Sequence, residues 1–263
     1  PVIKILNKAD LADPELTKAW MEYLEQQDGV KAIACDNNKA DDVKRIIAIC
    51  KSLVPNKVGT GRQIKAMIMG IPNVGKSTLI NTLAGRAVAR TGDEPAVTKS
   101  QQLIKLDDDI MLYDTPGMLW PKVENENSGY RLAATGGIRD TAFDFADVAS
   151  YTAEYLMQAY PELLKTRYKI EELPKTDWEF FEMAGRNRGC VRAGNQVDTY
   201  RMSEILINEL RSGKLGNITL ETPEMTEAEE IVVAEQRVAA EEKRIAKEEE
   251  KRLRRLKTRK NRK

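Results

Sequence analysis

Apolar positions along the first half of the chain come in short runs separated by helical periodicity. Val2-Ile3-Lys4-Ile5-Leu6 predicts a strand and leads into Asn7-Lys8-Ala9-Asp10. Asp13-Pro14 is a helix start, a capping side chain followed by a first-turn proline. The helix that follows, Glu15 to Gln26, sets Leu16, Ala19, Trp20, Tyr23 and Leu24 on one face. Asp28-Gly29 ends it. Val30 to Ala34 predicts a second strand, and Cys35-Asp36-Asn37-Asn38 a loop. Val43, Ile46, Ile47, Cys50 and Leu53 then recur at helical spacing, and Pro55 to Gly61 reads as a linker. Strand–helix–strand–helix predicts a parallel sheet covered by helices.

The alternation continues. Ala66-Met67-Ile68-Met69 reads as a buried strand, Gly70-Ile71-Pro72-Asn73-Val74-Gly75-Lys76-Ser77-Thr78 as a glycine loop, and Thr78 to Ala84 as a helix. Gly92 to Thr98 is polar and rich in breakers. Gln101–Leu106 and Asp109–Tyr113 predict strands joined by a tight acidic turn, the second ending in Asp114-Thr115-Pro116-Gly117. From about Tyr130 the pattern turns helical, which places a boundary near Asn125 to Arg131; Pro161 and Pro174 punctuate the helices. Thr226 to Lys257 has a sparse apolar stripe and i,i+4 pairs at Glu248/Arg252 and Glu250/Arg254, the pattern of a projecting surface helix that frays into a basic end. Three segments result: 1–125, 126–222 and 223–263.

Composition narrows the function classes. The chain has 263 residues, 41% of them hydrophobic, enough for one large domain or two ordinary ones. No apolar run approaches the roughly 18 residues a bilayer span needs, and Pro1 to Leu6 does not read as a signal peptide. Cys35, Cys50 and Cys190 are scattered, which disfavours a disulfide framework or zinc site and fits a reducing cytoplasm. There is no histidine, so no imidazole base can operate on these residues. The net charge of +1 hides a split: residues 251–263 carry nine Lys/Arg and no acid, and the rest carries 33 basic against 41 acidic residues, about −8. A basic end on an acidic body is either a solvated tail or an arm for a polyanion such as RNA.

The candidate chemistry lies in three motifs. Strand, glycine loop and helix is the context of a phosphate-binding loop: backbone N–H groups from Asn73, Val74 and Gly75 onward turn inward on a polyphosphate, and the helix N-terminus adds positive potential. Lys76 would reach the outer phosphates, the Ser77 hydroxyl would ligate Mg²⁺, and Thr78 opens the helix. Asn7-Lys8-x-Asp10 after a strand narrows the base. The Asp10 carboxylate can accept from N1–H and the N2 amino group of guanine, a pair of donors adenine lacks. Asn7 can bond the N7 side of the base or brace the loop, and the Lys8 stem can cover the ring. Asp114 supplies a second carboxylate on the Mg²⁺ side, and the Gly117 N–H can meet the γ-phosphate. Thr98, between these motifs, is either a loop threonine that closes on Mg²⁺ when the γ-phosphate is present or an ordinary surface residue. Loops held by the γ-phosphate and released on hydrolysis form a two-state switch.

The order of motifs is unusual. In most GTPases the phosphate loop comes first and Asn-Lys-x-Asp late. Here Asn7–Asp10 and Ala34-Cys35 precede Gly70–Thr78, Thr98 and Asp114–Gly117. This order resembles the circularly permuted GTPases of the YlqF/RbgA family, which act in assembly of the large (50S) ribosomal subunit. Leu132 to Asp140 resembles the opening of that family's helical C-terminal domain; Arg188-Gly189-Cys190, Asp198 and Arg211 to Gly216 resemble its later signature. The resemblance runs from residue 1 to about 222. It implies a permuted, mostly parallel GTPase sheet with helices on both faces, an all-α C-terminal domain and a basic tail. The implied protein is a monomeric cytoplasmic GTPase that binds GTP or GDP with Mg²⁺ and grips rRNA of the large-subunit precursor, with no membrane or DNA partner. Ala34 and Cys35 fall at the family's second base-side motif. Asn73 resembles the asparagine through which related GTPases use K⁺, or else only caps the loop.

Departures from the pattern set further expectations. The chain starts at the strand before Asn7, where family members carry a basic helical segment, a strand with an Asp-Ala-Arg signature and an attributed catalytic histidine; the sequence therefore reads as a trimmed piece. Met118 follows Gly117 where Ras-like GTPases place a water-orienting glutamine, so intrinsic hydrolysis should be slow. Ala96 replaces a glycine before Val97-Thr98. A second reading is an RNA-binding assembly factor whose pocket is occupied but nearly inactive. A P-loop kinase is disfavoured, because the base reader and the Asp114–Gly117 switch belong to GTPases.

Overall fold

The computed structural model describes residues 1–37, 39–89, 102–120 and 123–260. They form two compact units, 1–220 and 221–263. In the first unit β1 (Val2–Asn7) pairs in parallel with β2 (Val30–Cys35), Val2 opposite Val30 and Asn7 opposite Cys35. Helix α1 (Pro14–Glu25) connects them. The Asp13 carboxylate accepts from the Glu15 and Leu16 N–H groups at 2.9 and 3.2 Å, the capping predicted from Asp-Pro. The apolar face of α1 is half-buried, with no residue of the helix fully buried.

After α2 (Ala40–Leu53) come β3 (Ile64–Ile68), α3 (Lys76–Ala84), β4 (Gln102–Lys105) and β5 (Ile110–Asp114). β5 lies between β3, to which it runs parallel, and β4, to which it runs antiparallel. Among the described residues the five strands thus divide into two hydrogen-bonded sheets, β1–β2 and β3–β5–β4. One apolar cluster spans both: Ile33 and Cys35 of β2, Val43 and Ile46 of α2, and Leu79 and Leu83 of α3 are buried together, with Ile3, Ile5 and Ile68 packed against them. Burying a Leu or Ile side chain contributes about 1.5–3 kcal/mol. This cluster sets the C-terminal ends of β1 and β3 beside one another, where the sequence puts both nucleotide motifs.

The segment Ala66–Met69 is not buried throughout. Ala66 and Ile68 face a core of Ile80, Ala89, Ile104 and Leu112, while Met67 and Met69 are 60% and 59% exposed. Side chains alternate across a strand, and the other face of this sheet is open at Met67 and Leu103, which flank Tyr113 in register.

The helical part of the first unit opens with α4 (Glu126–Ala134). Asn125 caps it, accepting from the Asn127 and Ser128 N–H groups. It continues with α5 (Phe145–Ala159), α6 (Pro161–Tyr168), α7 (Asp177–Asn187) and α8 (Thr199–Arg211). Leu156, Leu164, Tyr168, Phe180, Met202 and Leu206 are fully buried between these helices. The Glu209 carboxylate, also buried, is held by Arg167, Arg188 and the Tyr168 hydroxyl. A charge at this depth stands only with such partners. Arg211 donates to the Ala133 and Ala134 carbonyls and pairs with Asp140, which pins the end of α4 to α8. In the second unit α9 (Pro223–Lys260) starts at Thr222, whose hydroxyl accepts from the Met225 N–H. No helix among the described residues is long and apolar enough to cross a membrane.

Candidate nucleotide site

β3 delivers the chain into the glycine loop, and α3 takes it away. Two loop residues adopt left-handed backbone, Asn73 at φ 60° and Gly75 at φ 82°. Gly75 is the N-cap of α3, and a Cβ there would lie 2.4 Å from Asn7 Nδ2, so no side chain fits. Lys76, Ser77 and Thr78 form the first turn of α3. Their N–H groups have no intrahelical acceptors, and the helix dipole adds partial positive charge, which makes an anion site at the loop mouth.

The segment after β5 folds back on this loop. The Thr115 hydroxyl donates to the Ile68 carbonyl at 2.7 Å, and the Met118 N–H to the Gly70 carbonyl at 3.2 Å. Gly117 lies against the Pro72 backbone; a Cβ there would come within 3.1 Å of Pro72 N and Cα. Met118 is 58% exposed and carries no group that could orient a water. Thr98, Ala96 and the rest of the Gly92–Thr98 stretch lie outside the described residues.

Asp114 closes β5 and is 1% exposed. Neither carboxylate oxygen has a well-formed hydrogen bond among the described residues. Burial pushes its pKa above the usual carboxylate value, against the opposing charge of Lys76 and partial relief from the Thr115 N–H. Donor-starved, buried and beside the phosphate loop, this carboxylate fits a hydrated Mg²⁺, as does the Ser77 hydroxyl in the first turn of α3. A carboxyl whose folded pKa lies above its unfolded value destabilises the fold as pH rises between the two, and the loss persists above the folded pKa. Asp114→Asn, which removes the buried charge, should therefore raise the Tm of the nucleotide-free protein at neutral pH. The same variant should lose the Mg²⁺ dependence of nucleotide binding. Thermal melts with and without GDP and Mg²⁺ check both; a lower Tm for the free variant would contradict this reading of Asp114.

On the base side, Asn7 Nδ2 donates to the Val74 carbonyl at 2.6 Å. The bracing role open in the sequence is thus realised, and the second amide hydrogen is left for a ligand. Lys8 takes left-handed backbone at φ 56°, and Asp10 is exposed in the turn that follows. Leu6 and Asn7 stand opposite Ala34 and Cys35 in register, and the Ala9 N–H donates to the Cys35 carbonyl at 3.1 Å. Asn7–Asp10, Ala34–Cys35, Asn73–Thr78 and Asp114–Gly117 are thereby assembled at one end of the two sheets. Cys35 is fully buried, so it can offer a ligand its backbone but not its thiol, whose pKa burial raises further.

Three contacts around the site have no signal in the sequence. Asn37 Nδ2 lies 3.3 Å from where a Gly75 Cβ would stand. Asn73 Nδ2 donates to the Gly136 carbonyl, just past α4, at 2.8 Å. Asn217 Nδ2 donates to the Asp10 carbonyl at 2.7 Å. The last two join residues 63 and 207 positions apart, beyond any local pattern.

Comparison with known proteins agrees with this geometry. A family model described as "50S ribosome-binding GTPase" matches residues 65–150. Ribosome biogenesis GTPase A of Bacillus cereus is 47% identical over 231 residues, 85% of this chain and 78% of that protein. Ribosome biogenesis GTPase A of Thermotoga maritima is 29% identical over 222 residues, 84% of this chain and 76% of that protein. Among solved structures, GNP-bound YlqF from T. maritima superposes with a TM-score of 0.59 at 26% identity, over 85% of this chain and 82% of that one. With the strand–loop–helix, the braced Asn-Lys-x-Asp turn and this identity over most of its length, the chain belongs to the ribosome biogenesis GTPase A family.

Proposed function

We propose that this GTPase is a nucleotide-gated switch on the precursor of the large ribosomal subunit, gripping rRNA through its helical part and basic tail. The observation that carries the reading is the Asn7–Val74 hydrogen bond, which joins the Asn-Lys-x-Asp turn to the glycine loop and so supports a shared guanine nucleotide. The names of the relatives and the matching family model support the ribosomal partner. The division of labour is 1–125 for nucleotide, 126–222 for RNA contact and 223–263 as a charged extension, working as a cytoplasmic monomer.

Asp10 reads the N1–H and N2 amino edge, Asn7 braces the loop, and Ala34 and Cys35 present backbone to the base. Backbone N–H groups from Asn73 to Thr78 hold the phosphates, and Lys76 neutralises charge on the outer ones. Ser77, Thr98 and Asp114 would hold Mg²⁺, which would supply charge neutralisation to the phosphates when bound. The Gly117 N–H meets the γ-phosphate, so its loss frees the segment packed on Pro72. Asn73 already donates through Nδ2 to Gly136, which leaves its amide oxygen for a K⁺.

Exposed Met118 favours a low intrinsic rate and keeps a second reading in play, an RNA-binding factor with a nearly inert pocket. Phosphate release from GTP, with and without large-subunit precursor and in K⁺ or Na⁺, separates them. The switch predicts stimulation by the precursor of at least about tenfold, some 1.4 kcal/mol off the barrier, greater in K⁺. A rate indifferent to both would replace it with the second reading.

A further inference from the structure

The turn that carries Asp10 is held from the far end of the first unit. Lys8 to Ala12 folds as tight turns, with the Leu11 N–H donating to the Lys8 carbonyl at 3.0 Å. The Ala12 N–H donates to the Ala9 carbonyl, and the carbonyls of Asp10, Leu11 and Ala12 are all taken by the segment after α8. Asn217 Nδ2 donates to Asp10 at 2.7 Å and to Ala12 at 3.0 Å, and the Ile218 N–H donates to Leu11 at 2.9 Å. One residue on, the Asp13 N–H donates to the Thr219 hydroxyl at 3.2 Å.

From this geometry we infer that Asn217 is a positioning residue for guanine recognition, acting through the backbone of the Asp10 turn. The inference rests on the reading that the Asp10 carboxylate accepts from guanine. That carboxylate sits on an exposed side chain, and its direction is set by the backbone that carries it. Asn217 is itself exposed, so its side chain contributes donors rather than core volume. The neighbouring Ile218 and Leu220 are each 8% exposed and anchor the segment independently. Removing the amide therefore loosens the turn without opening a cavity.

Inosine diphosphate lacks the 2-amino group, so the ratio of its Kd to that of GDP reports how well Asp10 is placed. The full chain, its Asn217→Ala variant and its Asp10→Ala variant are titrated with both nucleotides, alongside thermal melts. Two lost hydrogen bonds of modest strength should lower the ratio about three- to tenfold in Asn217→Ala. Asn217→Ser, which keeps one donor, should fall between it and the unaltered chain, and it carries the same test if the alanine variant does not fold. A purely structural role would lower Tm and weaken both nucleotides equally; an unchanged ratio in Asn217→Ala and Asn217→Ser overturns the inference. An Asp10→Ala ratio equal to that of the unaltered chain would instead remove Asp10 from the base site, and the inference with it.

Discussion

Asp10→Asn should turn the protein from a guanine binder into a xanthine binder. The carboxylate can accept two hydrogen bonds from the donor edge of guanine, both strengthened by its charge. Asparagine offers one acceptor and one donor, so its amide hydrogens would meet the 2-amino group of guanine with no acceptor. Xanthine carries a carbonyl at that carbon, which accepts from the new amide while N1–H still donates to its oxygen. Charge-assisted bonds contribute about 1.5–3 kcal/mol each, so losing one and opposing donors should weaken GDP about 100-fold or more. Xanthosine diphosphate should tighten in the same variant. The exposed position of Asp10 argues that the fold survives the change. Competition titrations with GDP and xanthosine diphosphate check it; GDP affinity equal to that of the parent would remove Asp10 from the base site.

Lys76→Ala should abolish productive GTP binding. Lys76 is the first residue of α3, and its ammonium is the charge that opposes the burial of Asp114. On the proposed function its loss removes a counter-charge to the outer phosphates, and the buried Asp114 carboxylate loses its compensating neighbour. The two effects act in one direction: Asp114 becomes still harder to ionise, and its pKa rises further. We expect about 100-fold weaker binding of a non-hydrolysable GTP analogue, near 2.7 kcal/mol, and no measurable turnover. GDP, with fewer outer oxygens to neutralise, should lose less. Equilibrium titration with both nucleotides tests this, and equal losses for the two would place Lys76 away from the γ-phosphate.

Much of the fold and the site could be read along the chain because the signals are local. Gly70–Gly75 lies between β3 and α3 and Lys76–Thr78 open α3, as the apolar run and helical spacing require, and Asp13-Pro14 caps α1. Asn7 ends β1 and Lys8–Asp10 follow it, since a strand end is where a turn can present side chains to a ligand. What escaped reading depends on distant pairs. Four apolar letters at Ala66–Met69 look like a strand buried on both faces, yet burial is decided by what packs on each face, and Met67 and Met69 are exposed. The division into β1–β2 and β3–β5–β4 is a matter of which edges meet. The grip of Asn217 on the Asp10 and Ala12 carbonyls and of Asn73 on the Gly136 carbonyl are side chain–backbone bonds, with no periodicity to announce them.

Convergence of Asp10 and Lys76 on one guanine nucleotide is tested most directly by a crystal structure of the chain with GDP and Mg²⁺. The prediction is an Asp10 carboxylate about 3 Å from guanine N1 and N2, with Lys76 Nζ at similar distance from a β-phosphate oxygen. A diphosphate in the glycine loop with its base turned away from Asp10, or bound elsewhere, would contradict it.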